Sequence, residues 1–202
     1  MSKFPSRFAD CAVNELERWK NGAGKETKKP YSDYVGEYWK SIGIDHLDGA
    51  TIQDGIRPAW SSAFVSFCAR RAQAGTGFKY TQAHCHYVKA AMDAADGLSP
   101  FGFIARRFED YPPKVGDIVV GGREYASAYT FDQAKLAYLA DTFYPSHGDI
   151  VTGVSTKHLV AIGGNVSNNV DQKRLATVNG KLKPRLKRGR HYPWIAVLEC
   201  VI

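Results

Sequence analysis

Three polar residues of this sequence have the types and places that a nucleophilic catalytic centre requires: Ser61, His147 and Asn165. Ser61 stands where an apolar helix is predicted to begin, His147 at the entry to a predicted strand, and Asn165 at the junction of the next two strands. A hydroxyl nucleophile needs a base that accepts its proton, and the imidazole of that base needs a partner on its other nitrogen. We therefore expect His147 to accept the proton of Ser61 and the amide oxygen of Asn165 to hold the His147 ring.

The stretch before Ser61 predicts a loop that opens directly into a helix. Pro58 disfavours helix at Arg57 and is itself tolerated in a first helical turn. Ser61 is then at or next to the first helical residue, where backbone N–H groups lack intrahelical partners and the helix dipole is positive. The N–H of Ser61 or Ser62 can supply part of an oxyanion hole there. The alternative is that Ser61 is simply the N-cap, a position that Ser often occupies.

Hydrophobic periodicity predicts helices in the first half of the chain and antiparallel strands in the second, which is an α+β fold. The predicted helices cover residues 5–19, 32–42, 60–73 and 81–95, with a further helical excursion over 132–142. The predicted strands cover residues 101–108, 117–120, 149–154, 159–162, 166–170 and 194–202. Asn179-Gly180 is a strong signal for a hairpin turn. We expect the helix that begins near Ser61 to be central and to pack on the sheet.

The composition fits one soluble globular domain, since 44% of the 202 residues are hydrophobic and 23% are charged. No apolar run reaches the length of a membrane span, and residues 1–7 lack the apolar region of a secretory signal. The four cysteines are scattered without metal-ligand spacing, so we expect reduced, structural thiols. His84 and His86 stand at i and i+2 on a predicted helix, so they point apart and cannot hold one ion together.

The net charge of +7 is concentrated in one stretch. Between Gln172 and Leu198 there are eight basic residues and no acidic one, so the rest of the chain is nearly neutral. Such a stretch favours an anionic partner, such as a cell-wall polymer, a nucleic acid or an acidic protein surface. A solvated hairpin or loop is the alternative.

Four segments together resemble the motifs of CHAP-type and NlpC-type cell-wall hydrolases. Residues 60–65 (WSSAFV) resemble the W-C-A-A-F-V entry to their nucleophile helix, and residues 112–119 resemble their P-x-x-G-D-I/L-V strand. Residues 146–151 (SHGDIV) resemble their G-H-V-G-I-V strand, whose His is the general base. Residues 162–167 (IGGNVS) resemble their I-G-G-N-x-S segment.

A bacterial family of unknown function within that superfamily is a closer match. It shows W-S-A-A-F-I-S, an H-x-x-Y helix, G-D-L/I-x-x-x-G-R, S-H-C-D-I-V and I-G-G-N-V-S-D-S-V in that order. The corresponding blocks here are residues 60–66, 84–87, 116–123, 146–151 and 162–170. Each block alone is weak, but five in the same order, over roughly residues 57–180, are specific.

The resemblance implies a single papain-like domain over residues 1–202. Residues 1–50 would be an added N-terminal helical segment, and residues 172–198 a basic stretch with the closing strand. It implies a peptidase or amidase that cleaves an amide bond in peptidoglycan peptides and needs no metal or organic cofactor. Ser61 would be the nucleophile, His147 the general base and then acid, and Asn165 the residue that orients His147.

One departure concerns the nucleophile, because the superfamily has Cys where this chain has Ser61. A hydroxyl needs an aligned base throughout the attack, whereas a thiolate is already a strong nucleophile. Ser61 as a working nucleophile and a cleft that only binds are therefore both open.

Other residues are expected to contact the substrate: Trp60, Ser62, His84, Arg123 and Asp149. Trp60 would pack the wall of the cleft, and His84, which matches the family's H-x-x-Y helix, would line it. Arg123 could clamp a carboxylate of an acidic peptide. Asp149 shares a strand face with the expected base, so it could polarise that imidazole or bind a substrate amine. A solvated carboxylate at a strand end is the simpler account of Asp149.

Two other functions compete with hydrolysis. One is a catalytically inactive binding module that uses the same cleft, and the other is an anionic-polymer binder that works through Lys173–Arg190. Expected partners are a peptidoglycan peptide, an anionic partner at the basic stretch and a cognate immunity protein. Without a recognisable signal, an antibacterial effector of this kind is expected to be made in the cytoplasm. A phage or a secretion system would then deliver it to the periplasm or cell wall.

Overall fold

The structure is a computed structural model, and it describes residues 3–202. Over this range it has an α+β fold of five α-helices and an antiparallel sheet. The helices are α1 (Phe4–Arg18), α2 (Tyr31–Lys40), α3 (Ser61–Arg71), α4 (His84–Ala95) and α5 (Phe131–Leu139). The strands are β1 (Phe103–Arg106), β2 (Ile118–Gly122), β3 (Ser146–Val154), β4 (His158–Val166), β5 (Asn169–Val178), β6 (Lys181–Leu182), β7 (Arg185–Lys187), β8 (Arg190–Tyr192) and β9 (Ala196–Cys200).

Seven of these strands form one antiparallel sheet, in the order β1-β9-β2-β3-β4-β5-β6. Strand β9 lies between β1 and β2 and pairs with both, so it is an inner strand of the sheet. Strands β2 to β5 form a meander, and its middle pair carries the predicted His147 and Asn165. The pair of β3 and β4 residues nearest to this site is Ile150–Ile162, so neither His147 nor Asn165 takes part in the pairing of these two strands.

The two faces of the sheet pack against different partners. Ile118, Ile150 and Ile162 point toward the helices and belong to the main core, which also contains residues of α1, α3 and α4. Val151 belongs to a smaller cluster on the opposite face, together with Trp194. Because side chains alternate along a strand, odd-numbered residues of β3 up to Val151 share this outer face.

Strands β7 and β8 form a separate hairpin outside the main sheet. Arg185 ties this hairpin down, because its guanidinium donates to the backbone carbonyls of Pro193 (3.0 Å), Gly122 (2.8 Å) and Ser127 (2.7 Å). Part of the predicted basic stretch is therefore structural and packs against the sheet, and it is not uniformly a solvated loop.

The predicted order of helices followed by an antiparallel meander is confirmed, with differences at the boundaries, but the β7–β8 hairpin is not among the predicted elements. The turn at Asn179-Gly180 joins β5 to β6 as expected. The predicted strand over residues 166–170 is wrong, because β4 ends at Val166 and β5 begins at Asn169. Ser167 and Asn168 both have positive φ (51° and 66°), which makes a tight turn between the two strands.

The four cysteines are free, as predicted, and Cys68 is fully buried. None of the helices within residues 3–202 combines the length and apolar character that a membrane span needs. In the same range, no cluster of three or more His, Cys, Asp or Glu side chains is placed to hold a metal ion.

Candidate active site

Ser61 is the first residue of α3, and Trp60 occupies the N-cap position. The N-cap alternative for Ser61 is therefore wrong, and its hydroxyl does not cap the helix. The first hydrogen bond of the helix runs from the Phe64 N–H to the Trp60 carbonyl (3.0 Å). Within residues 3–202, the N–H groups of Ser61, Ser62 and Ala63 have no acceptor, as expected for a first helical turn.

The hydroxyl of Ser61 is paired with His84, the first residue of α4. The distance from Ser61 Oγ to His84 Nε2 is 2.6 Å. The other ring nitrogen of His84, Nδ1, is hydrogen-bonded to the hydroxyl of Tyr87, one turn further along α4. The i, i+3 spacing puts His84 and Tyr87 on the same helix face. The result is a continuous Ser61–His84–Tyr87 chain of hydrogen bonds.

This chain of hydrogen bonds depends on Gly148 in the facing strand β3. A Cβ at Gly148 would approach the Tyr87 hydroxyl to less than 3.0 Å and would lie 3.1 Å from His84 Nδ1. Gly148 of β3 thus leaves the space in which the phenol and the imidazole meet. Only glycine permits this approach without displacing Tyr87 or His84.

The other two members of this hydrogen-bond chain, His84 and Tyr87, are uncharged at neutral pH. Burial is the main reason why the pKa of His84 lies well below its usual range, and the nearby His147 and Arg123 side chains act in the same direction. Burial likewise raises the pKa of Tyr87 well above its usual range. A neutral imidazole can accept the Ser61 proton at Nε2 when its Nδ1 carries the proton donated to the Tyr87 oxygen.

His147 is not bonded to Ser61, in contrast to the predicted arrangement. Its Nε2 lies 2.9 Å from Asp149 Oδ1, and its Nδ1 lies 2.8 Å from a guanidinium nitrogen of Arg123. Because a guanidinium only donates, Nδ1 must accept and Nε2 must carry the proton donated to Asp149. Both nitrogens are therefore occupied. The His147 ring lies beside the His84 ring, with 5.4 Å between their centroids.

Asp149 is buried, with only 2% of its surface exposed, so the solvated strand-end carboxylate is wrong. Lys173 of β5 forms an ion pair with both Asp149 oxygens, at 2.8 and 2.9 Å. A Cβ at Gly163 would approach Asp149 Oδ1 to less than 3.0 Å, so this carboxylate also occupies space that a glycine leaves free.

The electrostatics of this second cluster follow from burial and from the paired charges. Burial lowers the pKa of His147 to about 4, although Asp149 opposes the shift. The pKa of Asp149 is below its usual range because His147 and Lys173 outweigh the opposing effect of burial. The cluster thus contains a neutral imidazole and an ionised carboxylate at neutral pH.

The predicted contact between Asn165 and His147 is not formed. No hydrogen bond joins the two side chains in the described part of the chain, and both His147 nitrogens have other partners. Asn165 has a φ of 55°, which lies outside the extended region, so its side chain leaves the alternation of β4. The sequence places the two residues on neighbouring strands, and that alone does not bring their side chains together.

Trp60 and Ser62 support the site from the core and do not face a cleft. The Trp60 ring is 1% exposed and stacks on Trp19, the C-cap of α1, with 5.3 Å between the ring centroids. Its indole N–H donates to Glu26 Oε2 (2.7 Å). Ser62, also 1% exposed, donates to the Thr81 carbonyl (2.8 Å) in the loop before α4. These contacts fix the entry to α3 and its position against α4.

Two cavities adjoin these clusters, and Arg123 lines both. The smaller cavity, of about 220 Å³, is lined by Ser61 and His84 and also by Tyr144 and Ser146. The hydroxyls of Tyr144 and Ser146 are buried and have no hydrogen-bond partner within residues 3–202. The larger cavity, of about 610 Å³, is lined by His147, Asp149 and Lys173.

The chain matches the sequence model of a bacterial protein family over residues 23–200, a span that includes every residue of both clusters. The family is described as "Uncharacterized protein conserved in bacteria (DUF2272)". The chain belongs to this family. No curated protein and no solved structure matches it significantly.

Two site residues of this DUF2272 member were not predicted to act there. The sequence places Lys173 only in the basic stretch, whereas in the structure its side chain reaches from β5 across β4 to Asp149 of β3. In the sequence, Tyr87 stands out only as part of the H-x-x-Y block. The i, i+3 spacing of His84 and Tyr87 was the sequence signal that could have paired them. No local signal could have shown that Gly148 and Gly163 provide the space around the two histidines.

Proposed function

We propose that this protein is a serine-type amide hydrolase that acts on peptides of the bacterial cell wall. The observation that carries the proposal is the 2.6 Å contact between Ser61 Oγ and His84 Nε2 at the N-terminus of α3. It joins a nucleophile to a neutral base, and both line one cavity. His84, rather than His147, is assigned the role of base.

In the first step, Ser61 Oγ attacks the carbonyl carbon of the scissile amide while its proton passes to His84 Nε2. The tetrahedral intermediate collapses when His84 returns that proton to the leaving nitrogen, which departs as an amine. The product on the enzyme is an ester of Ser61. In the second step, water attacks this ester and one of its protons passes to His84. The bond from the carbonyl carbon to Ser61 Oγ then breaks, His84 returns the proton to Oγ, and the peptide leaves as a carboxylic acid.

The first turn of α3 can stabilise the oxyanion. The free N–H groups of Ser61, Ser62 and Ala63 belong to the positive end of the helix dipole. Oxyanion-hole donors are worth about 2.7–4 kcal/mol each in a well-studied serine protease. The unpartnered hydroxyls of Tyr144 and Ser146 in the same cavity can bind other polar groups of the substrate.

In this mechanism His84 becomes positively charged when it accepts the Ser61 proton, and its low pKa makes that step costly. Tyr87 is neutral, so it orients the ring without supplying a negative charge. Asp149 favours the charged form of His84, whereas His147, Arg123 and Lys173 disfavour it. We assign Asp149 the role of offsetting part of this cost through space.

The substrate class rests on the sequence motifs. The WSSAFV entry to α3 and the SHGDIV strand resemble those of NlpC-type and CHAP-type papain-like hydrolases. The order of a nucleophile helix followed by an antiparallel sheet is compatible with that kinship. Delivery to the periplasm or cell wall by a phage or a secretion system, with a cognate immunity protein, belongs to the same proposal.

A binding module that uses this cleft without catalysis is the second candidate. It is favoured by the depressed pKa of His84, which makes a weak base, and by the low exposure of Ser61, at 5%. In that case the unpartnered hydroxyls near Ser61 would hold a peptide that is not cut.

The test is release of new amino groups from purified sacculi. Ser61→Ala and His84→Gln should each lower the rate by at least about a thousandfold, because removing a member of a serine catalytic centre has effects of this size or larger. His86→Gln is the matched control, since His86 is exposed and lies two residues from His84. It should retain the native rate.

The same assay separates the competing assignments. A loss with His147→Gln as large as that with His84→Gln would overturn the choice of base. Inactivity of both the native protein and Ser61→Cys, with sacculus binding retained, would establish the binding module instead.

A further inference from the structure

The larger cavity lies on the outer face of the sheet, away from α3. Its floor comes from β2, β3 and β5, and the β7–β8 hairpin forms one wall. Its volume of about 610 Å³ is within the range of pockets that bury small ligands. The cavity is separate from the Ser61 cleft, although Arg123 lines both.

The lining of this cavity is strongly cationic. The basic side chains that line it are Arg123, Lys173, Arg174, Lys183, Arg185 and Lys187. Asp149 is the one carboxylate among the lining residues, and it already has Lys173 and His147 as partners. The cavity therefore has a large excess of positive charge.

Four of these six cations already have partners in the protein. The Arg185 guanidinium donates from each of its three nitrogens to a backbone carbonyl, and Arg174 donates to His158. Arg123 donates to His147, and Lys173 pairs with Asp149. Lys183 and Lys187 are exposed and have no acidic partner within the described part of the chain. Lys187 is part of the β7–β8 hairpin, and Lys183 lies just before it.

The cavity also has apolar surface between these charges. Trp194 lies at its base with 5% exposure, and Leu175 and Leu186 add aliphatic surface. A ligand with an apolar body and carboxylates would satisfy both features. A nucleic acid would need an open cationic stripe with aromatic platforms along its backbone, and here the cations surround a concave, partly apolar cavity.

We propose that this cavity binds a short acidic peptide. Its carboxylates would bind Lys183 and Lys187, and an apolar side chain would lie against Trp194. The site requires no catalysis by Ser61, so it goes beyond the proposed hydrolysis. It also reassigns part of the basic stretch from a surface for polymers to one wall of a defined pocket.

The experiment uses the full chain carrying Ser61→Ala, so that hydrolysis cannot affect the result. The probes are N-acetyl-Leu-Glu-Glu, its neutral counterpart N-acetyl-Leu-Gln-Gln-amide, and inorganic phosphate. Binding is measured by calorimetry and by tryptophan fluorescence, because Trp194 lines the cavity while Trp19, Trp39 and Trp60 lie in the helical core. The acidic peptide should bind at least about tenfold more tightly than the neutral one, since a hydrogen bond to a charged group contributes about this much.

A charge-matched pair of variants locates the site. Lys183→Ala with Lys187→Ala should weaken binding at least tenfold. Lys28→Ala with Lys40→Ala removes the same charge from exposed positions on the N-terminal segment and should leave binding unchanged.

Three results would each overturn the proposal. They are equal loss in the two double variants, equal affinity for the acidic and neutral peptides, and binding of phosphate as tight as that of the peptide. Since every measurement is made without the Ser61 hydroxyl, an inactive native enzyme would not affect these outcomes.

Discussion

Gly148 is the position at which the packing of the candidate active site can be tested most directly. We expect Gly148→Ala to destabilise the protein because the added methyl group meets Tyr87 and His84. The new Cβ would come closer than 3.0 Å to the Tyr87 hydroxyl and would lie 3.2 Å from Ile118 Cγ2. Tyr87 is fully buried, so its ring has no solvent-filled space into which it can withdraw.

The expected magnitude follows from overpacking. Extra methyl groups in a packed core cost about 1–3 kcal/mol, and Gly148 has no positive φ that would add backbone strain. Tyr87→Phe alone should cost about 1–3 kcal/mol, because it leaves the buried His84 Nδ1 without its partner.

The combination of both substitutions is the decisive variant. Phe lacks the hydroxyl that the Ala methyl group meets, so the double variant should be more stable than the sum of the single effects predicts. Contacting residues commonly show coupling of about 0.5–3 kcal/mol, and we expect about 1–2 kcal/mol here. Such a rescue cannot arise if the two sites are independent.

The measurement is urea unfolding followed by circular dichroism, with the free energy extrapolated to water and the m-value compared across variants. Gly153→Ala in the same strand is the matched control, since its Cβ would lie 3.7 Å from Val160 Cβ, an ordinary contact. It should cost less than about 0.5 kcal/mol. Additive effects within about 0.5 kcal/mol, or a neutral Gly148→Ala, would refute the described packing.

Two further predictions concern pH and the hairpin. Folding depresses the pKa of His147 from about 6.5 to about 4, so between these values the unfolded chain binds a proton that the folded chain does not. The free energy of unfolding should therefore fall as the pH drops from 6.5 to 4, by up to about 3 kcal/mol from this residue. Urea unfolding at pH 7.0, 5.5 and 4.5 checks this, and His147→Gln should remove this residue's share of the slope. What is left is the share of His84 and the opposite-signed shares of Asp117 and Glu15, whose pKa values burial raises; an unchanged slope would contradict the assignment. Arg185→Met should release the β7–β8 hairpin by removing its three backbone contacts, seen as faster amide exchange at Arg190–Tyr192 while the amides of β3 stay protected; equal exchange in both proteins would contradict it.

The sequence predicts best those features that depend on residues adjacent in the chain. The helix entry at Ser61 and the Asn179-Gly180 turn are defined by residues adjacent in the chain, and both were located correctly. The α+β order followed from the change of hydrophobic period near the middle of the chain.

The pairing of side chains across elements was beyond a single sequence. Two histidines lie near Ser61, and the choice between His84 and His147 depends on the space left by Gly148, which the His84 ring and the Tyr87 hydroxyl occupy. The position of Asn165 depends on its left-handed φ and on the irregular β4–β5 register around it. Such a local departure from extended backbone separates a residue from the partner that strand alternation would give it.

The stack of Trp19 on Trp60 has a consequence for how the family is delimited. The family match begins at residue 23, so α1 falls outside it. Yet Phe8 and Trp19 are completely buried, and Trp19 is the aromatic neighbour of the residue that precedes Ser61. The unit of sequence similarity is thus smaller than the unit that folds: a boundary drawn at residue 23 passes through the hydrophobic core and removes a support of the Ser61 helix entry.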